Sequence, residues 1–336
     1  MRFAVTAVRL MLLGILLEAS TAAIAGEPVL IERPDAFKTL VNPACSQCVK
    51  EAKRRVGELK PGDPVLAWTR TGRAGGAIPH RFFLQPYRVI ADTYGTFVYD
   101  PDAGFSRGYP RSRDFTFHGW RNGIMVMKDK DGTLFSTLSG RAFAGPRKGV
   151  KLKAIPTVTT QWGHWTETYP SSVTYTMFEK YQPIELPKAD NADSLKSRGP
   201  ADKRLPTNTA VIGVSYEGKA RAYRLADVEK AGGLIRDEIG GKPVIVLAYS
   251  PTQSAAVYAP QIDGTKSAQL VNLTPQKDGS FIDEKTKSRW GIDGRAQSGP
   301  LKGKTLRWVD SVQCRWFAWA AEYPETELYS GGNAAE

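Results

Sequence analysis

Two cysteines three positions apart form the sharpest motif that can carry chemistry. Cys45 and Cys48 stand just ahead of a segment, Val49–Leu59, whose apolar residues recur with the spacing of one helix face. This pattern predicts both thiols in the first helical turn, where the helix dipole and Lys50 lower a thiol pKa. Because Val49 follows Cys48, the histidine needed for covalent haem attachment is absent.

Three hypotheses for this cysteine pair stay open. A structural disulfide suits an oxidising compartment and requires no further residue. A redox-active pair is the second hypothesis, although no thioredoxin-like βαβ pattern surrounds the motif. The third is a zinc or copper site, which needs two more ligands. Besides carboxylates, the chain offers four such ligands: His80, His118, His164 and Cys314. We predict no other cofactor.

Three other residues are candidates for catalysis or binding. Asp92 and Asp237 each precede a glycine-containing turn, and they form an acid/base pair if they face each other. The alternative is that both aspartates simply form those turns. His164 lies between two tryptophans and is a candidate ligand contact, with a plain surface position as the alternative. Since no serine-hydrolase elbow or zinc-binding helix motif occurs, we expect a binding protein rather than an enzyme.

The elements that must position these residues occur twice along the chain. The string GRAFAGPRKG at 140–149 matches GRAQSGPLKG at 294–303, an offset of 154 residues. Two tryptophans and a tyrosine recur at the same offset, with Trp162, Trp165 and Tyr169 matching Trp316, Trp319 and Tyr323. An internal match of this kind indicates repeated structural units.

This repetition predicts the domain organisation. The first unit covers 61–181 and the second covers 207–330, joined by a linker at 182–206 that is rich in Pro, Lys, Asp and Ser. Residues 26–60 form an N-terminal segment that carries the cysteine pair, and 331–336 form a tail. Because ligand sites favour the junctions of domains, the cleft between the two units is the expected ligand site.

The pattern within the second unit predicts an α+β fold with mainly antiparallel sheet. Gly218 lies in a hairpin signal between two short strand patterns, and the apolar run at 244–249 is typical of a central buried strand. A helix at 313–322 presents the aromatic residues on one face and stops at Pro324. Strands are predicted at 211–216, 220–224, 244–249, 255–262, 268–273 and 306–309, and a further short helix at 226–231.

The second unit also carries a family resemblance. Its motifs are VIG at 211–213, DEIGGKPV at 237–244, AYSP at 248–251, GRA at 294–296 and GPLKG at 299–303. In these motifs the chain resembles the bacterial domain-of-unknown-function family numbered 3179 (DUF3179). The resemblance implies an exported protein without an established activity. The family often has a Tyr-Cys-Pro-x-Cys motif after the central strand, which implies a binding loop here at Tyr249, Ser250 and Gln253 without the thiols.

The first 25 residues have the pattern of a signal peptide. Arg2 and Arg9 precede the apolar run Leu10–Leu17, and Ala23–Ala25 provides the A-x-A cleavage pattern. An uncleaved N-terminal anchor is the alternative. We expect a periplasmic or secreted protein with no transmembrane segment after the signal is removed.

The net charge and the distribution of the basic residues indicate which classes of partner to expect. Lys and Arg number 46 against 34 Asp and Glu, a formal net charge of +12, but the basic residues form no block. No nucleic-acid-binding signature accompanies them, so we expect no specific nucleic acid partner. The expected partner is a small molecule or another exported protein.

Overall fold

Strands dominate the structure, which is a computed structural model. It describes residues 29–41, 49–51, 59–70, 73–83, 87–91, 93–111, 115–175, 191–265 and 270–331. The predicted signal peptide at 1–25, the cysteine pair Cys45 and Cys48, and Asp92 lie outside these described residues.

The described chain forms many short strands with a few short helices between them. The strands before residue 180 are β1 (Leu30–Glu32), β2 (Lys38–Val41), β3 (Val49–Glu51), β4 (Pro64–Arg70), β5 (Arg73–Pro79), β6 (Tyr87–Ala91), β7 (Thr96–Asp100), β8 (Phe105–Tyr109), β9 (Thr116–Arg121), β10 (Ile124–Lys128), β11 (Leu134–Ser136), β12 (Ala142–Ala144), β13 (Val158–Gln161) and β14 (Val173–Tyr175). The later strands are β15 (Ala210–Tyr216), β16 (Lys219–Arg224), β17 (Leu234–Ile239), β18 (Lys242–Tyr249), β19 (Ser254–Ile262), β20 (Leu273–Pro275), β21 (Phe281–Asp283), β22 (Arg289–Trp290), β23 (Ala296–Ser298), β24 (Leu306–Trp308), β25 (Ser311–Arg315) and β26 (Glu327–Leu328). The helices are α1 (Trp162–Thr168), α2 (Ala192–Lys196), α3 (Leu225–Lys230) and α4 (Trp316–Glu322).

All four of these helices are short. They contain seven, five, six and seven residues in chain order. Within the described residues, no helix is long and apolar enough to cross a membrane. Two single turns of 3-10 helix, His80–Phe82 and Ser250–Thr252, complete the helical content of the described chain.

The described strands form six sheets. Two of them have similar orders, β13-β4-β5-β14-β3 early in the chain and β25-β15-β16-β26 later. The other four are β2-β6-β7-β8, β1-β9-β10-β11-β12, β17-β18-β19-β24 and β20-β21-β22-β23. Most neighbouring strands are antiparallel, with β2/β6, β5/β14 and β16/β26 as parallel pairs. The predicted α+β class agrees with this architecture.

Tight turns set the register of the predicted hairpins. Glu217 and Gly218 join β15 to β16 with φ values of 48° and 74°, and Gly240 and Gly241 join β17 to β18 with 58° and 74°. Two successive residues at positive φ are typical of the hairpin turns whose twist matches that of the flanking strands. Glycine adopts this conformation without steric cost, which explains three of these four positions.

The strands β4 and β15 are buried on both faces. Along β4, Val65 joins one hydrophobic core while its neighbour Leu66 joins another. Along β15, Val211 and Ile212 are divided in the same way between two cores. Because successive side chains of a strand point to opposite faces, the part of a strand that lies between two cores is apolar at successive positions, as at 65–68 and 211–214.

The aromatic helices contact strands of their own part of the chain and belong to cores that extend into the other part. Helix α1 contacts β4, β5 and β13, and its Trp162 and Trp165 share a core with residues of β17–β24, including Phe281 and Trp290. Helix α4 contacts β15 and β25, and its Trp316 and Trp319 belong to a core that also contains residues of β6–β12. Each of these two cores therefore joins the early and late parts of the chain.

A close contact with a tryptophan ring of α4 explains one glycine of β15. A Cβ atom at Gly213 of β15 would lie 2.1 Å from Cε3 of Trp319, a distance that real Cβ contacts do not reach. The absence of a side chain at this position allows the indole ring to lie directly on the strand. Trp319 is 2% exposed, so this contact is part of the core.

Three local predictions need correction. The predicted helix over Val49–Leu59 is wrong at its start, because residues 49–51 form β3 and pair with β14. The helix predicted at 313–322 begins only at Trp316, since the preceding residues form β25 along β15. The strand predicted at 268–273 is found at Leu273–Pro275 instead. In each case backbone pairing with a distant strand overrides the local pattern.

The segment predicted as a linker contains a packed element. Asn191 caps α2 by accepting hydrogen bonds from the backbone N–H groups of Asp193 and Ser194. The hydroxyl of Ser194 donates to the carbonyl oxygen of Gly123 at 3.1 Å, and the N–H of Gly123 donates to Ser197 at 2.8 Å. This part of the segment is therefore anchored to the turn between β9 and β10.

Candidate functional site

A cavity of about 370 Å³ is lined by both β13 and β25. Thr159, Thr160 and Gln161 contribute from β13, and Gln313, Cys314 and Arg315 contribute from β25. The two strands belong to the two sheets of similar order, one from the early and one from the late part of the chain. The volume lies at the lower end of the range of roughly 300–1,000 Å³ that is usual for small-molecule sites.

A neutral histidine forms one wall of this cavity. His80 is buried, and its Nε2 lies 3.0 Å from the hydroxyl oxygen of Ser106. Its ring stacks on Tyr99, with 4.3 Å between the centroids. Burial lowers the pKa of His80 to about 3, so the imidazole carries no charge at neutral pH. The hydroxyl of Ser106 also lies 3.2 Å from that of Thr159, which extends the chain of polar groups along the wall.

A buried carboxyl group shapes the turn beside this wall. Asp100 accepts hydrogen bonds from the backbone N–H groups of Asp102 and Ala103, each at 3.0 Å, and of Met125 at 2.8 Å. Burial raises the pKa of Asp100 to about 7, and the nearby Asp102 acts in the same direction. These bonds fix the turn from Asp100 to Gly104, whose last residue lines the cavity.

Gln313 connects β25, the second wall of the cavity, to the predicted binding loop through two hydrogen bonds. Its side-chain Nε2 donates to the carbonyl oxygen of Gln253 at 2.8 Å. Its Oε1 accepts from the backbone N–H of Ala255 at 3.2 Å. Gln253 has a φ of 50°, the left-handed conformation, and ends the 3-10 turn Ser250–Thr252. Both hydrogen bonds hold this loop against β25 at the cavity.

Arg315 is the one formally charged side chain among the described residues that line the cavity. Its stem lies over Gly104, where a Cβ atom would approach the Cγ of Arg315 to 3.1 Å. Its backbone N–H donates to the carbonyl oxygen of Ala103 at 2.8 Å. No carboxylate of the described part of the chain forms an ion pair with this guanidinium. The cavity therefore has a positive charge without a described counter-ion.

A smaller chamber of about 20 Å³ adjoins the cavity and shares Ser106, Thr159 and Gln313 with it. Arg107 lines this chamber and forms an ion pair with Asp310, which Lys151 also contacts at 2.9 Å. The Nε of Arg107 is buried and has no hydrogen-bond partner among the described residues. Space of this size accommodates about one water molecule.

The structure separates the predicted site residues. Gln253 lines the cavity, whereas Tyr249 contacts His164, with 5.5 Å between the two ring centroids. Burial lowers the pKa of His164. Ser250 opens the 3-10 turn, and its carbonyl oxygen accepts from the N–H of Gln253.

Asp237 lies in β17, and its carboxylate accepts hydrogen bonds from neighbouring groups. It accepts hydrogen bonds from Arg221 and Tyr223, both at 2.6 Å, and from the backbone N–H of Glu238 at 2.7 Å. Its proposed partner, Asp92, lies outside the described residues, as do Cys45 and Cys48. Where the structure describes the chain, no group of three His, Cys, Asp or Glu side chains is placed to hold a metal ion.

Sequence reasoning missed most of the residues that line the cavity. It named His80 and Cys314 only as possible metal ligands, and it did not name Ser106 or Arg315, which belong to no recognised motif. One available signal was the repeat itself, because Arg315 replaces the Gln161 expected at that position from the offset of 154. The cavity thus has the charged Arg315 in β25 and the neutral Gln161 in β13.

Comparison with known proteins gives a family and no individual relative. No curated protein and no solved structure matches the chain. One family model does match, and its description is "Protein of unknown function (DUF3179)". The match covers residues 35–326 and so includes β4–β25 with the whole described lining of the cavity. On that coverage, the chain belongs to the DUF3179 family.

Proposed function

We propose that this chain is an exported binding or accessory protein whose ligand occupies the cavity between β13 and β25. The observation that carries the proposal is the cavity's composition. Hydroxyl, amide, imidazole and guanidinium groups converge there from distant parts of the chain, alongside apolar contacts from Val211 and Leu225. Such a mixture of apolar surface and a few converging polar groups is typical of small-molecule sites.

The lining supports binding more than catalysis. Ser106 and His80 are in hydrogen-bond contact, as a nucleophile and its base would be. However, a general base works best when its pKa is near the working pH, and burial holds the pKa of His80 at about 3. The pair is therefore suited to hydrogen bonding with a ligand rather than to accepting a proton.

An internal duplication is part of the same proposal. The indole N–H of each matching tryptophan donates to a hydroxyl seven residues later, Trp165 to Ser172 at 2.7 Å and Trp319 to Thr326 at 2.8 Å. Together with the similar orders of the two sheets that contain β13 and β25, these bonds support two copies of one unit at 61–181 and 207–330. The cavity then lies where the two copies meet. Its two walls carry different residues because the sequences of the two copies differ.

A ligand screen tests the binding proposal. The full mature chain is screened against a library of small polar metabolites by thermal shift, since a ligand that binds only the folded state raises its apparent stability. Asn208→Trp places a large ring at an exposed position of the cavity lining and should abolish each positive shift. Lys219→Trp, at the exposed hairpin between β15 and β16, is the matched control and should leave the shifts unchanged. Ligands that still bind to the Asn208→Trp variant would contradict the proposed location.

Export is tested separately. Cells that express the whole chain are fractionated, and the N-terminus of the protein outside the cytoplasm is sequenced. Cleavage after Ala25 should give a mature chain that begins at Gly26. A chain that retains Met1 in the membrane fraction would favour the uncleaved anchor. The competing function, a thiol-redox or metal protein centred on Cys45 and Cys48, rests on the sequence motif alone.

A further inference from the structure

We infer that the ligand of this cavity is a small hydroxylated carboxylate whose carboxyl group pairs with Arg315. The inference rests on the proposed binding function and adds the chemical class of the ligand. It depends on three features of the cavity: its charge, its unpartnered polar atoms and the number of its cations.

The charge of the lining favours an anion. Arg315 is partly buried at the end of β25, and its guanidinium has no carboxylate partner among the described residues. The lining residues of the described chain include no Asp or Glu, so no carboxylate of the lining itself repels an entering anion. A charge in a partly desolvated cleft attracts a counter-ion more strongly than one in bulk water.

Buried polar atoms at the cavity that have no described hydrogen-bond partner indicate that the ligand also carries hydroxyl groups. The hydroxyl of Thr160 is buried, lies in the lining and has no hydrogen-bond partner among the described residues. In the adjoining chamber, the Nε of Arg107 is likewise buried without such a partner. Buried polar atoms are nearly always satisfied in native proteins. A ligand that carries both hydroxyl and carboxyl groups supplies the missing partners directly or through one bridging water.

The number of cations favours a carboxylate over a phosphate. The planar guanidinium of Arg315 matches a carboxylate with two parallel hydrogen bonds, and one positive charge neutralises one negative charge. A phosphate ester carries close to two negative charges at neutral pH, which would require a second cation or several free backbone N–H groups. The described lining offers no second cation.

The test uses isothermal titration of the full mature chain at low ionic strength. The probes are lactate, glycerate and gluconate, with lactamide and glycerol as neutral analogues and inorganic phosphate as the competing anion. We expect at least one carboxylate to bind, with its neutral analogue and phosphate at least 10-fold weaker. Arg315→Gln keeps most of the stem over Gly104 but removes the charge, and it should weaken carboxylate binding by roughly 10- to 100-fold.

Two further variants give the test its specificity. Arg315→Lys keeps the charge without the bidentate geometry and should bind with intermediate affinity. Arg141→Gln removes the same charge from an exposed position outside the lining, and it should bind as the wild type does. Unfolding midpoints of all variants establish that they are folded.

The outcomes separate this inference from the proposed function. If a neutral analogue or phosphate binds as tightly as the carboxylates, or if Arg315→Gln has no effect, the carboxylate inference is overturned. The same holds if none of the three carboxylates binds. The binding function itself fails only if the wider thermal-shift screen finds no ligand that depends on Asn208.

Discussion

The hydroxyl of Tyr169 donates a hydrogen bond to the carboxylate of Asp293, joining the end of α1 to the turn before the late GRA motif. A similar attachment occurs at the other aromatic helix, where Glu322 of α4 accepts from Ser136 at 3.1 Å and from Ser139 beside the early GRA motif. Each helix is thus tied to the glycine-rich turn of the opposite part of the chain. The helices that follow β13 and β25, the two walls of the cavity, are in this way attached to the other part of the chain.

Removing the Tyr169 hydroxyl should therefore destabilise the protein. In Tyr169→Phe the partly buried Asp293 carboxylate loses its hydroxyl donor, and we expect the free energy of unfolding to fall by about 1–3 kcal/mol. Urea unfolding at pH 7 measures the change. Tyr249→Phe is the matched control, because its hydroxyl makes only an exposed 3.3 Å bond to the carbonyl oxygen of Lys277. Equal losses in the two variants would contradict a special role for the Tyr169 contact.

Asp293 should also make stability depend on pH. Burial raises its pKa to about 6, against the opposing effect of the Tyr169 hydrogen bond, whereas the unfolded chain has the ordinary value of 3.8. Between these values the folded state keeps a proton that the unfolded state has lost, so this group's contribution to stability falls as pH rises from about 4 to 6.

Asp293→Asn tests this dependence because its amide oxygen can still accept from Tyr169. Relative to this variant, the wild type should lose about 1–2 kcal/mol between pH 4 and 7, an amount reduced by the partial exposure of the carboxyl group. Unfolding free energies of both proteins across that range give the difference. A difference that does not change with pH would rule out the raised pKa.

His80 should have the opposite pH dependence. Its pKa is about 3 in the folded protein and near 6.5 in the unfolded chain, so the unfolded state binds more protons below pH 6.5. Stability from this group is present above pH 6.5 and is lost as pH falls toward 3, at up to about 1.4 kcal/mol per pH unit.

His80→Gln keeps a polar atom near Ser106 and removes the titration, so the wild type should lose stability relative to this variant on acidification. The comparison is the difference in unfolding free energy at pH 7 and pH 4.5. His164→Gln, at a partly exposed position, should change the pH dependence less. An equal effect at both histidines would contradict the buried, neutral state of His80.

Local sequence patterns predicted the helices and strands better than they predicted which elements pack together. The apolar run at 244–249 lies in β18, and the hairpin at Gly218 occurs as expected, because turn chemistry and strand burial are local properties. The spacing of Trp316 and Trp319 predicted a buried helix face. It could not predict that the core around this face also includes residues from the early part of the chain, since periodicity indicates burial but not the elements that provide it.

The candidate site was predicted less completely for the same reason. The junction of the two units was expected to hold the site, and Gln253 lies in the lining. His80 and Arg315 are 235 positions apart in the sequence and meet only through the tertiary fold. A single buried histidine and a single arginine carry no spacing pattern that distinguishes them from structural residues.

Alkylation should distinguish the states of the three cysteines. Cys314 is buried, and burial raises its thiol pKa, so iodoacetamide should not modify it in the folded protein. If Cys45 and Cys48 form a disulfide, mass spectrometry should show no modification of the native chain, one after unfolding and three after unfolding with reductant. Two modifications in the native state would mean free thiols at the pair, and bound zinc or copper in a native spectrum would favour the metal hypothesis.

The loop after β18 should accept cysteines at positions 250 and 253. The N–H of Gln253 donates to the carbonyl oxygen of Ser250 at 3.0 Å, a one-turn geometry that keeps their Cα atoms within roughly 7 Å. This separation is compatible with a disulfide, whose Cα atoms are usually about 4.4–6.8 Å apart. The contact from Gln313 reaches the backbone of Gln253 and does not depend on its side chain.

We therefore expect the double variant Ser250→Cys with Gln253→Cys to form an intramolecular disulfide in air without loss of stability. Its intact mass should lie about two hydrogens below that of the reduced form, because one bond replaces two S–H groups. The single variant Ser250→Cys is the control and should retain a free thiol. Residue 253 already adopts a positive φ with a side chain, so cysteine there adds no new backbone strain. If the double variant stays reduced or becomes less stable than the control, the loop has diverged from any geometry that suits a thiol pair, and only its contact with Gln313 would remain as its role at the cavity.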